Sequence, residues 1–403
     1  MGNFFDWHAA RTDLSNIALL DRAPESEGIN LKAVRLYRLA RVRSQMAKYC
    51  IDAVVLSDPI NIRYATGTRN MQVTLNTFEY TGCSHLAEGY ETIDEIRTAT
   101  TASFAAAGPN IEDRERSWAA NMADLIKSLV GKDATVGLER LNANVALALR
   151  DCGLKIVDAQ KPVEMARAVK SAEEMKCVIA SLRATEVAVG ELRDAIRPGM
   201  TENALWSVLH QSVIRQNGDY CETRLLSAGP RTNPWFQETS SYEIGPNELI
   251  ALDTDVVGCH GYYSDFSRTF HSGPDPPTQA QRELYKVAYE QVHYNMKILR
   301  AGLTFREYAE RAWEIPKKYY ANRYFLSAHG TGMTGEYPYL YHRGDFPDSG
   351  YDGVLEAGMV ICVESYIGEE GGQEGVKLEE QVLITEDGIE VLSKFPFEAA
   401  LLQ

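Results

Sequence analysis

The chain has 403 residues, 45% of them hydrophobic, which is enough for two or three soluble domains with a large core. Its 56 acidic and 41 basic residues leave a formal charge of −15, which excludes a general nucleic-acid binder with a basic face. Seven scattered cysteines without a Cys-x-x-Cys pair argue against a disulfide scaffold or structural zinc. No apolar run approaches the roughly 20 residues of a membrane span, and the start MGNFFDWHAARTD lacks a signal-peptide pattern. A cytoplasmic protein is the expectation.

Residues 1–30 read as an irregular arm anchored by Phe4, Phe5 and Trp7, and residues 31–160 as an α/β domain. LKAVRLYRLARVRSQMAKYC is an amphipathic helix, IDAVVLS a buried strand, and DPINIRYATG a turn into a short helix. A helix over RSWAANMADLIKSLVG, strand ATVGLE, a short helix in NANVALALRDCG and strand LKIVDA follow. Residues 70–89 are short of strand material.

Residues 165–403 read as an α+β domain. Ser171 and Glu174 form a capping-box signature for a helix that runs to Ile196, before Pro198-Gly199. Further helices are expected from Thr201 to about Gln216, Thr278 to about Leu299, and Phe305 to Tyr319. Among them lie two hairpins that carry carboxylates. In ELIALDTDVVGCHGYYSDFSRTF, folding about Gly258–Gly261 sets Asp255 opposite Asp265, with Asp253 on the same face as Asp255. In MVICVESYIGEEGGQEGVKLEEQVLIT, folding near Gly371-Gly372 sets Glu364 opposite Glu379. Spacing alone also admits Glu380, and it leaves open which of Asp253 and Asp255 is the ligand.

Acidic residues are depleted in strands, and buried carboxylates need a counter-charge. Divalent cations supply one. His329, flanked by Gly330 and Gly332, adds an imidazole, so the set suits Zn, Mn, Fe or Co better than a calcium-type site. Taken singly, His329 is as readily a core residue as a ligand. Residues 221–238, with Arg224, Arg231, Trp235 and Phe236, read as a substrate-binding loop or as an ordinary loop around a buried Trp. Tyr337, Tyr339 and Tyr341 after Glu336 are core, or aromatic faces for an organic cation. No G-x-S-x-G elbow and no P-loop is present.

The order Asp, Asp, His, Glu, Glu, with DFSRTF, HGTGM, VESYIG and KLEEQVLI around them, resembles the pita-bread metalloenzyme family, which includes methionine aminopeptidases, Xaa-Pro peptidases, prolidase and creatinase. The resemblance implies a creatinase-type N-terminal domain, a pita-bread C-terminal domain and a homodimer. It also implies two metal ions on Asp255, Asp265, His329, Glu364 and Glu379, with Asp253 joining them. Two departures separate the chain from the peptidases. Ten residues separate Asp255 from Asp265 and twelve separate Asp253 from Asp265, on either side of the peptidase spacing. A proton-handling histidine of the peptidases falls on Glu336, and no histidine occurs in 227–238. These features and LLSAGPRTNPWFQE resemble the dimethylsulfoniopropionate-lyase branch, although that branch's proposed basic Asp falls on Gly335. The branch implies a small carboxylate substrate cleaved to acrylate and dimethyl sulfide, with Glu336 as proton acceptor. The alternatives are a hydrolase of Xaa-Pro dipeptides and a catalytically impaired metal-binding relative.

Overall fold

The computed structural model describes residues 28–68, 87–97 and 103–403. Nearly all of the expected arm, and the segment 70–80, lie outside the described residues. The chain divides between Arg167 and Ala168 into two compact units.

The first unit, from Asn30 to Arg167, is built on parallel strands β1 (Ala53–Val55), β2 (Thr135–Leu138) and β3 (Lys155–Asp158), in the order β1-β2-β3. Parallel neighbours need crossover connections. Here these contain α2 (Pro59–Thr66) and α3 (Ile111–Val130) before β2, and α4 (Ala143–Asp151) before β3. Helix α1 (Leu31–Lys48) starts where the Asn30 side chain accepts from Ala33 N. Val136, Ala119 and Leu149 are fully buried at the centre of the core. The last helix of this unit escaped the sequence reading, which ended the domain near 160. Helix α5 (Gln160–Arg167) stays with the first unit because Tyr64 donates to Ala166 O at 2.8 Å and Arg167 bonds Asn61.

In the second unit, α6 (Ala172–Ala195) carries the expected capping box, and α7 (Glu202–Arg215) begins at the Thr201 cap. Helix α8 spans Gln279–Ile298. The fourth helix is shorter than expected, because α9 covers only Phe305–Arg311. The chain resumes helix at Lys317, just after Pro316, which has no N–H and disfavours helix in the residue before it.

Three sheets complete the unit. The largest is antiparallel, in the order β11-β10-β12-β13-β14, from β10 (Leu326–Thr331), β11 (Gly335–Tyr341), β12 (Val360–Gly368), β13 (Gly375–Ile384) and β14 (Ile389–Val391). A second runs β5-β6-β9, from β5 (Leu226–Ala228), β6 (Leu249–Asp253) and β9 (Ser267–His271). A small third sheet, β4-β7-β8, joins β4 (Tyr220–Cys221), β7 (Val256–Val257) and β8 (Tyr263–Ser264). Strand β13 meets β9 side by side, with Lys377 N donating to Thr269 Oγ1 at 3.1 Å and Thr269 Oγ1 donating to Lys377 O at 2.8 Å. That junction brings the two carboxylate-bearing hairpins face to face. No helix among the described residues is long and apolar enough to cross a membrane.

Candidate metal centre

Glu364 on β12 pairs in register with Glu379 on β13, and His329 on β10 pairs with Cys362, two residues before Glu364 on β12. Paired residues and alternate residues share a face, so His329, Glu364 and Glu379 project together. The glycines beside His329 are needed for close approach: a Cβ on Gly330 would meet Tyr337 O at 2.3 Å, and one on Gly332 would meet the Glu336 carboxylate. In the other hairpin, Val256 pairs with Ser264 and Asp253 with Ser267, so one register carries across the break and sets Asp255 opposite Asp265. The break falls at Asp255, whose φ of 41° turns its carboxylate out of the ladder.

Around His329 Nε2 stand Glu379 Oε1 at 3.4 Å, Asp265 Oδ2 at 3.5 Å and Glu364 Oε1 at 3.8 Å. Ligands of one ion bound at about 2.0–2.2 Å sit about 3–4 Å from each other, the range of these three distances from the imidazole, and Asp265, His329 and Glu379 offer donor atoms within 4.8 Å of one another and of Cys362 Sγ. Asp253, Asp255 and Asp265 offer a second group of oxygens, all within 4.8 Å of one another. Asp265 belongs to both groups, the position of a bridging ligand. The donor set passes a further test: Asp265 Oδ1 and Glu364 Oε1 are buried and accept no hydrogen bond, a state that burial penalises unless a cation fills the space.

The electrostatics agree. Burial, followed by the neighbouring Asp253, pushes Asp255 up to about 7. Burial likewise lifts Glu364 to about 8 against the pull of Lys377, and carries Asp265 well above the ordinary carboxylate range with Glu379 adding to the effect. Burial opposes the charged form of His329, yet Glu379 and Glu364 raise it to about 9. Such a cluster holds more negative charge than its own side chains neutralise.

Several residues absent from the sequence reading complete the centre. Lys377, with a fully buried side chain, places Nζ 2.7 Å from Glu379 Oε2 and 3.1 Å from both Glu364 Oε2 and Asp253 Oδ2. Ser267 Oγ lies 2.8 Å from Asp253 Oδ1 and 2.7 Å from Glu379 Oε2. Tyr263 donates to Asp255 Oδ1 at 2.9 Å and Thr223 donates to its Oδ2. Lys377 and Ser267 each stand two residues from a ligand on the same strand face. That is the signal that would have found them. Glu380 faces away and pairs with the fully buried Arg268 at 2.8 Å, whereas Glu379 is the one of the two whose carboxylate reaches His329.

The expected substrate-contacting residues separate into groups. Trp235 is buried and stacks on Tyr366 at 6.0 Å, while exposed Phe236 stacks on Tyr324 at 5.8 Å. Together with Pro234, Arg323, Tyr324 and Phe325 they line a cavity of about 380 Å³. The cavity adjoins the centre, because Lys377 Nζ is 5.6 Å from the Trp235 ring and 5.7 Å from that of Tyr324. Of the three tyrosines, Tyr339 stands edge-on to His329 at 6.3 Å, whereas Tyr337 and Tyr341 pack on Tyr351. The guanidinium groups are engaged: Arg224 with Glu238 at 2.8 Å, and Arg231 with the buried Glu202 at 3.1 Å. Glu336 is buried and ion-paired with Lys170, itself buried.

Residues 176–386 match the profile of metallopeptidase family M24, and residues 38–169 that of the creatinase/prolidase N-terminal domain. The chain belongs to metallopeptidase family M24. It is 33% identical to the dimethylsulfoniopropionate lyase DddP of Roseobacter denitrificans, over 99% of this chain and 91% of that protein. The dimethylsulfoniopropionate lyase DddP of Roseovarius nubinhibens is 32% identical over 93% of this chain and 88% of its own length. A Xaa-Pro dipeptidase of Pyrococcus furiosus is 26% identical over 89% and 97%. In fold the chain is similar to a solved Xaa-Pro dipeptidase from Bacillus anthracis (TM-score 0.72, 22% identity, covering 90% of this chain and 99% of that one). The expected architecture, a creatinase-type N-terminal α/β domain with a pita-bread C-terminal domain, is therefore borne out. Family members are generally dinuclear metal-dependent enzymes, and the residues of this M24 protein fit that centre.

Proposed function

We propose that this M24 enzyme is a two-metal lyase of small sulfonium carboxylates, cleaving dimethylsulfoniopropionate to acrylate and dimethyl sulfide. The observation that carries the reading is the match of nearly the whole chain to a lyase at 33% identity. Two features support it: the residue at 336 is Glu where the peptidases carry His, and residues 227–238 hold no His. The first ion is proposed to sit on Asp265, His329, Glu364 and Glu379, the second on Asp253, Asp255 and Asp265. When bound, the ions supply positive charge that holds the substrate carboxylate and acidifies the adjacent C–H.

Glu336 is the proposed proton acceptor, with its charge matched by Lys170. It takes the proton from the carbon next to the carboxylate. The C–H electrons form the double bond of acrylate as the carbon–sulfur bond breaks, and the sulfur leaves with its electron pair as dimethyl sulfide. Trp235, Phe236 and Tyr339 are the aromatic faces proposed for the sulfonium, joined by Tyr324. Tyr337 supports Tyr339 from the same strand, and Arg224 and Arg231 hold the loop that closes the site.

Incubating metal-reconstituted enzyme with dimethylsulfoniopropionate and sampling the headspace tests the proposal. Dimethyl sulfide released at a rate proportional to enzyme supports it, with kcat falling in Glu336→Gln at unchanged metal content. Release of free amine from Xaa-Pro dipeptides, without dimethyl sulfide, would make the protein a hydrolase. Retained metal without turnover on either substrate would make it a catalytically impaired relative.

A further inference from the structure

Lys377 divides the oxygens of the carboxylate cluster into two sets. Its ammonium takes the outer oxygens, Glu379 Oε2 at 2.7 Å and Glu364 Oε2 and Asp253 Oδ2 at 3.1 Å. The inner oxygens, Glu379 Oε1 and Glu364 Oε1, turn the other way, toward His329 Nε2 at 3.4 and 3.8 Å. Ser267 Oγ accepts from Nζ at 2.8 Å, and the rings of Trp235 and Tyr324 stand 5.6 and 5.7 Å from it. The side chain is fully buried. The ammonium thus occupies a built cage of three carboxylates, a hydroxyl and two aromatic faces.

The charge count gives this cage a purpose. Asp253, Asp255, Asp265, Glu364 and Glu379 are five carboxylates, and Lys377 removes one negative charge. The remaining four match two divalent ions. The same ammonium faces two consequences of opposite sign. Without metal it is the one lysine or arginine charge paired to these carboxylates among the described residues, and it holds three of them in place. With metal it lies in the same low-dielectric pocket as two dications and repels them.

We infer that Lys377 is a resident counter-cation: it keeps the centre assembled when metal is absent and weakens the binding of the second ion, so that the two ions load in unequal steps. The role does not depend on the substrate, and it stands whether the enzyme is a lyase or a hydrolase.

The test uses the full chain and metal alone. Protein stripped with a chelator is titrated with Mn²⁺, Co²⁺ and Zn²⁺ by calorimetry and by competition with a chromophoric chelator, and stripped and loaded forms are melted. Wild type is expected to stay folded when stripped and to bind in two steps of unequal affinity. In Lys377→Met the weaker step tightens by at least about tenfold, while the melting temperature of stripped protein falls by about 5 °C or more and that of loaded protein changes less. Lys377→Arg, which keeps the charge, retains the unequal steps and the stripped-state stability. A weaker second step in Lys377→Met, or an unchanged stripped melting temperature, overturns the inference. If Lys377→Met does not fold, wild type decides: unfolding on chelation, or two equal binding steps, overturns it equally.

Discussion

Glu202 fixes the loop that roofs the cavity, and Glu202→Gln measures how much that fixing contributes. The carboxylate is fully buried at the first position of α7. Its Oε1 accepts from Ala228 N at 2.9 Å, and its Oε2 from Ser240 N at 2.9 Å and Ser240 Oγ at 2.7 Å. Arg231 Nε lies 3.1 Å from both oxygens. One side chain therefore clamps both ends of residues 229–240, with Trp235 and Phe236 between them. Glutamine keeps the shape but replaces one acceptor by a donor, so at least one N–H loses its partner, the bonds that remain go to a neutral group, and Arg231 loses its counter-charge. Hydrogen bonds to a charged group contribute about 1.5–3 kcal/mol each against about 0.5–1.5 for neutral ones. The net loss is about 3 kcal/mol once part of the network readjusts. For a unit of this size that corresponds to a melting temperature lower by about 6–12 °C. The metal ligands are untouched, so metal content by elemental analysis stays at the wild-type value. KM rises because the loop presenting the aromatic wall loosens, and kcat changes less. A melting temperature within about 2 °C of wild type, or loss of metal in place of loss of substrate affinity, would refute the reasoning.

Three other outcomes follow from the same geometry. Gly335→Asp places a carboxylate where a new Cβ meets nothing within 4 Å, so it fits without rearrangement; dimethyl sulfide release is expected to rise at least about tenfold, the scale of a positioned base, and no gain at intact metal content would remove position 335 from the reaction. Lys170→Met strands the buried Glu336 carboxylate and is expected to cost about 3–5 kcal/mol, with most of it recovered in Lys170→Met/Glu336→Gln; an additive double mutant would show that the pair is not coupled. In the metal-free enzyme, Asp255 at about 7 and Glu364 at about 8 lie above their ordinary values of 3.8 and 4.5. The folded state then holds more protons than the unfolded one between those limits, so stability is fully present at acid pH and falls as pH rises toward 8. Melting curves of chelator-treated protein should drop steadily from about pH 4.5 to about 8 and those of metal-loaded protein should not; an opposite slope would contradict the assignment of these carboxylates to the centre.

The convergence of the candidate ligands was legible because strand pairing turns a sequence distance into a spatial one. A turn at Gly371-Gly372 places Glu364 opposite Glu379 by counting, and the pairing is as counted. The Asp hairpin obeys the same counting although its ladder is broken at Asp255, since the residues on either side keep one register. Glu379 and Glu380 illustrate how alternation separates neighbours: the first reaches His329 and Lys377, the second reaches Arg268. Where a residue's role depends on a distant segment, counting had nothing to work on. Lys377 looks like an ordinary strand lysine until β9 and β12 close around it, and only then does its charge belong to the centre.

The hairpin β10–β11 shows why the rest was hidden, and why it matters most. FLSAHGTGM is poor in β-branched residues and did not read as a strand. It is one because β11 and β12 pair with it on either side. Tyr337, Tyr339 and Tyr341 alternate along β11 with Tyr351 beside all three: it stacks on Tyr337, stands edge-on to Tyr341 and accepts from Tyr339 N at 2.7 Å, while the Tyr339 ring stands edge-on to His329. Gly335 and Glu336 lie in one register beyond the shift between the His329 and Gly330 pairs, paired with Thr331 and Gly330, and alternation sends them to opposite faces: Gly335 opens onto free space and Glu336 turns to Lys170. The candidate metal ligands fit a metal-dependent enzyme of either kind. The residues proposed to move a proton lie on β11 just beyond the register shift, where neighbouring positions take opposite faces. Lyase and hydrolase are therefore to be told apart at positions 335 and 336, and not at the carboxylates.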